Sequence, residues 1–211
     1  MTENIRVFTQ NSIRIESAQG VIYIDTFKMN EAPHDAAYIL ITHDHYDHFS
    51  PEDIEKVANE NTILVVPEKM RLKADKISGI VKRIETVLPG TGMEIDGLGI
   101  EAVPSYNILK PFHPKSAGWV GYILNIDGER IYIAGDTDLT KEAKEVKCDI
   151  ALIPIGGTYT MDAKKAAELV NIIKPKTVIP THYGSIVGTA KDADAFAKLV
   201  DESIDVNIIM E

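Results

Sequence analysis

Three of the six histidines lie in one six-residue run, His43-Asp44-His45-Tyr46-Asp47-His48, between an apolar strand signal and a capped helix signal. The strand signal is Tyr38-Ile39-Leu40-Ile41-Thr42, nearly continuous in apolar character, as expected where both faces are covered. The helix signal opens at Ser50. Ser50 caps, Pro51 takes the first helical position, and Asp53 stands where a capping-box acid belongs. Phe49 and Ile54 are spaced as a hydrophobic staple, and Ile54, Val57 and Ala58 give one apolar face. The fold must therefore carry a buried strand to an edge and present a His/Asp loop there. Imidazole and carboxylate are both metal ligands. In extended chain His43 and His45 point the same way, whereas the adjacent Asp47 and His48 diverge. One pair can hold one metal while the other holds a second.

The rest of the chain supplies layers around that loop. Strand signals occupy 5–8, 12–16, 21–25, 63–66, 81–87, 100–103, 119–126 and 130–134, with Asp127-Gly128 as a hairpin turn. The last third reads strand 150–155, helix, strand 177–180, helix, strand 206–210. The helices show apolar faces at Ala166, Leu169, Val170 and Ile173, and at Ala193, Phe196, Leu199 and Val200. With no repeat, linker or low-complexity stretch, the expected class is α/β, sheets with outer helices, in one domain over 1–211.

The 211 residues are 45% hydrophobic and 26% charged, enough for one well-filled core. A net charge of −10 disfavours long nucleic acid as a partner and favours a small substrate. No signal peptide or membrane-length apolar run is visible, so the expected location is cytoplasmic, with no membrane partner. The single cysteine, Cys148, excludes an intrachain disulfide and is expected to be a small buried apolar residue.

The run His43–His48 resembles the HxHxDH signature of the metallo-β-lactamase superfamily. Two further elements are similar in the same order: Gly135-Asp136-Thr137-Asp138 after the strand at 130–134, and Thr181-His182-Tyr183-Gly184 after the strand at 177–180. The resemblance spans nearly the whole chain and implies a four-layer αββα sandwich. It implies two divalent metal ions, zinc first, with manganese or iron open on the same donor set. His43 and His45 would hold the first metal and Asp47, His48 and His182 the second. Asp136 would bridge the two, with Asp138 a weaker choice. Asp44 and Tyr46 fall at the variable positions and are not counted as ligands.

The pattern departs in two places. The superfamily's third histidine for the first metal falls, by distance from the strand at 100–103, near Asn107. The remaining histidine nearby is His113, between two prolines. The assignment is His113 as ligand, with Asn107 as a hydrogen-bonding neighbour or a substitute. Thr9-Gln10-Asn11-Ser12 also lacks the Gly-His pair of the ascorbate-6-phosphate lactonase-like subgroup. Asp25 resembles that subgroup's first aspartate and could orient a ligating histidine, or be a strand-end turn residue. His34 is read as a surface residue. The stretch 154–162 also resembles the subgroup. Its glycines let backbone approach closely; Thr160 or Asp162 can cap the next helix, and Thr158 or Tyr159 can line a pocket.

The implied chemistry is hydrolysis of a small ester, lactone or phosphoester by a metal-bound hydroxide. Asp47 would be the catalytic carboxylate that orients the nucleophile and carries a proton. Lys110 and Lys115 flank His113 and could recognise an anionic substrate, or be solvated. Ser105 and Ser116 have no base partner and are read as structural. The rival classes are a nuclease or phosphodiesterase, which −10 disfavours, and a non-hydrolytic redox or sensor metal protein.

Overall fold

The computed structural model describes residues 2–211. Its strands form two sheets. The first holds β1 (Ile5–Val7), β2 (Ile13–Ser17), β3 (Gly20–Ile24), β4 (Ala36–Leu40), β5 (Ile63–Pro67) and β6 (Arg83–Val87), in chain order. The second runs from β7 (Gly92–Ile95) through β8 (Leu98–Pro104), β9 (Val120–Ile126), β10 (Glu129–Ile133), β11 (Ile150–Pro154) and β12 (Thr177–Thr181) to β13 (Asp205–Val206). Each sheet is antiparallel in its first part and parallel in its second.

Period-two patterning sorts the side chains into layers. Ile22, Ile24, Leu40 and Val65 of the first sheet face Ile131, Ile133, Leu152 and Ile179 of the second in one shared core. The alternate residues Tyr23, Ile39, Ile41, Leu64 and Val66 point outward and are covered by α1 (Pro51–Val57) and α2 (Arg71–Ala74). On the other side Tyr132, Ala151, Ile153 and Val178 pack under α3 (Lys141–Lys144), α4 (Ala163–Ile173) and α5 (Ala190–Ala197). The result is the αββα sandwich that the resemblance implied. Among the described residues no helix is long and apolar enough to cross a membrane.

The cap signals were partly reassigned. Ser50 accepts from the Asp53 amide as expected, and Phe49 and Ile54 share one cluster. Asp53 does not return to the Ser50 amide. It accepts instead from the amides of Lys28 and Met29, at 2.8 and 3.0 Å, and so ties the loop after β3 to α1. Asp127 and Gly128 both have positive φ, 51° and 82°, as a two-residue hairpin of this type requires. The last strand is shorter than the 206–210 signal, because the chain leaves the second sheet and Met210 bridges Val7 of the first. Cys148 is half-buried against the α4 side of the core, and burial pushes its thiol up to about 12, which leaves it unreactive. His34 is exposed.

Candidate metal centre

Loops from both sheets meet at one edge. The His43–His48 loop follows β4, and α1 fixes its far end. His113 comes from the β8–β9 connection, Asp136 follows β10, and His182 follows β12. Backbone hydrogen bonds cross between the sheets here. The Val120 amide donates to the Thr42 carbonyl at 3.1 Å, and the His182 amide to the Gln10 carbonyl at 2.7 Å. Tyr122, buried between the sheets, donates its hydroxyl to the Ile41 carbonyl at 2.7 Å. Gly156 is needed for this closeness, since a Cβ there would lie 2.2 Å from the His182 carbonyl oxygen.

All seven residues expected as ligands converge. His43, His45 and His113 form one group of donor atoms and Asp47, His48 and His182 another, each within 4.8 Å. Asp136 stands between them. Its Oδ1 is 3.4 Å from His48 Nε2 and 3.2 Å from His182 Nε2. Its Oδ2 is 3.3 Å from His113 Nε2 and 3.9 Å from His43 Nε2. Asp47 Oδ2 lies 3.6 Å from both His48 Nε2 and His182 Nε2. Apart from half-buried His45, these side chains are buried.

Three histidines, His48, His43 and His113, have partners at Nδ1. His48 Nδ1 donates to Asp25 Oδ2 at 2.8 Å. Asp25 also accepts from the Thr42 amide and hydroxyl and from Asn11 Nδ2, so it is a buried anchor rather than a turn residue. His43 Nδ1 lies 3.0 Å from Thr42 Oγ1. His113 Nδ1 meets Asn107 Oδ1 at 3.0 Å, and Asn107 Nδ2 donates to the Tyr159 carbonyl. Asn107 thus sits behind His113, and it is His113 that faces Asp136.

The electrostatics fit a cation. Burial and the neighbouring imidazoles hold His43 and His45 below the ordinary histidine range. Burial also acts to lower His48 and His182, but Asp136, Asp25 and Asp47 outweigh it at His48, and Asp136 and Asp47 at His182, which rises to about 10. Asp136 is held well below the carboxylate range, because the charges of His182 and His48 overcome its burial. Two buried polar atoms at the centre, His113 Nε2 and Asp136 Oδ1, have no hydrogen-bond partner. Buried carboxylates and lone pairs converging on one space, some unpartnered, are a donor set that a divalent ion satisfies.

Other expected residues go elsewhere. Asp138 binds Lys110 Nζ at 2.7 Å and the Ile108 amide, and does not face the cluster. Asp44 pairs with Lys73. Lys115 pairs with Glu142 at 2.6 Å. Ser105 donates to the Asp136 carbonyl. Asp162 caps α4, while Thr160 is buried and does not cap it.

The structure adds residues to the centre whose roles the sequence did not announce, Gln10 and Trp119 among them. Gln10, fully buried with φ 54°, brings Nε2 to 3.5 Å from Asp47 Oδ2 and 3.3 Å from His182 Nε2. It lies in the stretch 9–12 compared above with the subgroup's Gly-His pair, and the His182 loop closes over it. Trp119 has its ring centroid 5.1, 4.9 and 5.4 Å from those of His43, His45 and His113. As the sole tryptophan, in the segment before β9, it was open to notice.

A pocket of about 340 Å³ opens over the centre, lined by His45, Tyr46, Asp47, Phe112, Asp136, Tyr159 and Ile186. Tyr159 therefore lines it, whereas Thr158 does not.

The family described as the beta-lactamase superfamily domain matches residues 4–182. A UPF0173 metal-dependent hydrolase of Pyrococcus abyssi is 34% identical, over 83% of this chain and 79% of its own. One of Methanosphaera stadtmanae is 32% identical, over 95% of this chain and 92% of its own. A crystal structure from Parabacteroides distasonis, of a protein described as a metal-dependent hydrolase, superposes with a TM-score of 0.80. It is 31% identical and covers 98% of this chain and 93% of its own. The chain belongs to the β-lactamase superfamily and, within it, to the family of the UPF0173 metal-dependent hydrolases.

Proposed function

We propose that this protein hydrolyses small ester, lactone or phosphoester substrates with two divalent ions, zinc in the first instance. The observation that carries the reading is Asp136, whose two oxygens face separate groups of histidines, 3.2 Å from His182 and 3.3 Å from His113. On this reading His43, His45 and His113 hold one ion, Asp47, His48 and His182 the other, and Asp136 both. When bound, the ions supply Lewis acidity and bring the acidity of a water toward neutral pH. Asp47 lies at the pocket floor and orients the attacking water, takes its proton and returns it to the leaving oxygen. Asp25, Thr42 and Asn107 hold His48, His43 and His113 in register for that geometry. Water adds its OH to the acyl carbon or phosphorus, the bond to the leaving oxygen breaks, and that oxygen gains the proton.

The net charge of −10 and a pocket with no lysine or arginine in its lining support a small substrate over nucleic acid. A lone cysteine suits a reducing compartment, and the reading takes the cytoplasm as the location.

Elemental analysis of purified protein tests the proposal. Two metals per chain are expected, falling toward one in His113→Ala, together with turnover of an ester, lactone and phosphoester panel. Trp119 fluorescence follows filling of the neighbouring histidine group. One metal, unchanged by His113→Ala, overturns the dinuclear assignment. Full loading without turnover on that panel favours a non-hydrolytic centre.

A further inference from the structure

The pocket over the centre has two chemically distinct ends. Its floor carries Asp47, Asp136 and His45. Its walls are Tyr46, Phe112, Tyr159 and Ile186. Tyr46 is 68% exposed and Phe112 39%, large aromatic surfaces left open to water beside a cavity. Exposed apolar surface gathered at a cavity marks a binding surface. The rings are held rather than loose. Phe112 meets the Tyr159 ring edge-on at 4.8 Å, and Tyr46 meets Phe27 at 5.9 Å. Pro111 and Pro114 stiffen the backbone around Phe112.

The nearby cations are committed elsewhere. Lys110 Nζ donates to Asp138 at 2.7 Å and to the carbonyls of Gly157 and Thr160, which uses its three N–H groups. Lys115 is paired with Glu142 and Lys73 with Asp44. Lys28 donates to Ser185 at 3.3 Å and lies over the Phe27 ring. No lysine or arginine is among the residues that line the cavity. The walls offer the hydroxyls of Tyr46 and Tyr159 but no opposite charge, so a phosphate or carboxylate at the far end of a substrate would lose water there without gaining a charged partner. An aryl or alkyl group would cover Tyr46 and Phe112. The volume of about 340 Å³ is about twice the ~150 Å³ cavity that accommodates one benzene. It has room for one ring, a short chain and the reacting group.

We infer that the substrate is an ester, lactone or phosphoester whose non-reacting part is an uncharged aryl or alkyl group, held between Tyr46, Phe112, Tyr159 and Ile186. This rests on the hydrolytic metal centre proposed above. It sets aside the anionic body that Lys110 and Lys115 had suggested.

The test uses two product analogues that share a carboxylate and differ at the far end, 3-phenylpropanoate and succinate. Calorimetry on the zinc-loaded full chain should find the phenyl compound bound at least about tenfold more tightly, a difference of about 1.4 kcal/mol. Tyr46→Ala and Phe112→Ala together should remove most of that advantage while metal content stays unchanged. Equal or tighter binding of succinate, no binding of 3-phenylpropanoate at millimolar concentration, or an advantage that survives both substitutions overturns the inference. Turnover of methyl 3-phenylpropanoate and monomethyl succinate is scored separately. Aryl-selective binding with neither ester cleaved, and no turnover of the lactone and phosphoester panel, sinks the hydrolase reading and leaves the pocket assignment standing.

Discussion

His113 and Asn107 divide one task between them: His113 faces Asp136, and Asn107 holds the ring from behind at 3.0 Å. An acceptor at Nδ1 fixes the tautomer that leaves Nε2 free as a donor to a metal, so its loss is felt at a distance of one ring. Asn107→Ala should weaken binding of the ion nearest His113 by about 10–100-fold, measured by chelator competition, with the fold retained. Unchanged affinity would show that Trp119 and the backbone alone orient the ring. This division was only half legible in the sequence. Histidine and aspartate announce themselves by chemistry, so the loop 43–48, Asp136 and His182 could be singled out. Strand spacing pointed to Asn107 and residue chemistry to His113, and nothing local could say that the loop would fold back to put one behind the other. Gln10 stood in the stretch compared with the subgroup's Gly-His pair, but its role was not readable for the same reason, because its burial is made by a histidine 172 positions away.

At the scale of elements, α1 serves the site through Asp53, which gathers the Lys28 and Met29 amides, Ser50 Oγ and Lys56 Nζ. Burial acts to raise its pKa, but the Lys56, Ser50 and backbone hydrogen bonds prevail and hold it below the ordinary 3.8. A carboxylate lowered on folding contributes its full stability above the unfolded value and loses it as pH falls through the folded one. Asp53→Ala should therefore cost about 2 kcal/mol near neutral pH. The gap from the parent protein in denaturant titrations should close below about pH 3.8. A gap that stays constant with pH would mean that packing, and not charge, ties the loop to the helix. Helix caps and long apolar runs were readable because they are local. Strand β7 was missed although Asp96-Gly97 turns with φ 48° and 87°, the same signal read correctly at Asp127-Gly128. Its exposed alternate residues and short length hid it from a search for apolar pattern. The shortened β13 was beyond local signals, because the pull on Met210 comes from Val7.

At the scale of the whole molecule, the candidate ligands are drawn from loops of both sheets, so ions bound among them would tie one sheet to the other. A ligand that binds only the folded state stabilises it by mass action, about 4 kcal/mol when free ion exceeds its dissociation constant a thousandfold. Stripping the ions with a chelator should lower Tm by roughly 8–16 °C for a chain of this size, and adding zinc back should restore it. An unchanged Tm after verified removal would mean that the shared apolar core alone sets stability. The seam hydrogen bonds Val120–Thr42 and His182–Gln10 lie beside the same centre. If bound ions hold this join, ion supply would govern how long each molecule survives as well as how fast it works: copies left empty would open more often there and meet proteases sooner, which would leave the survivors enriched in loaded protein.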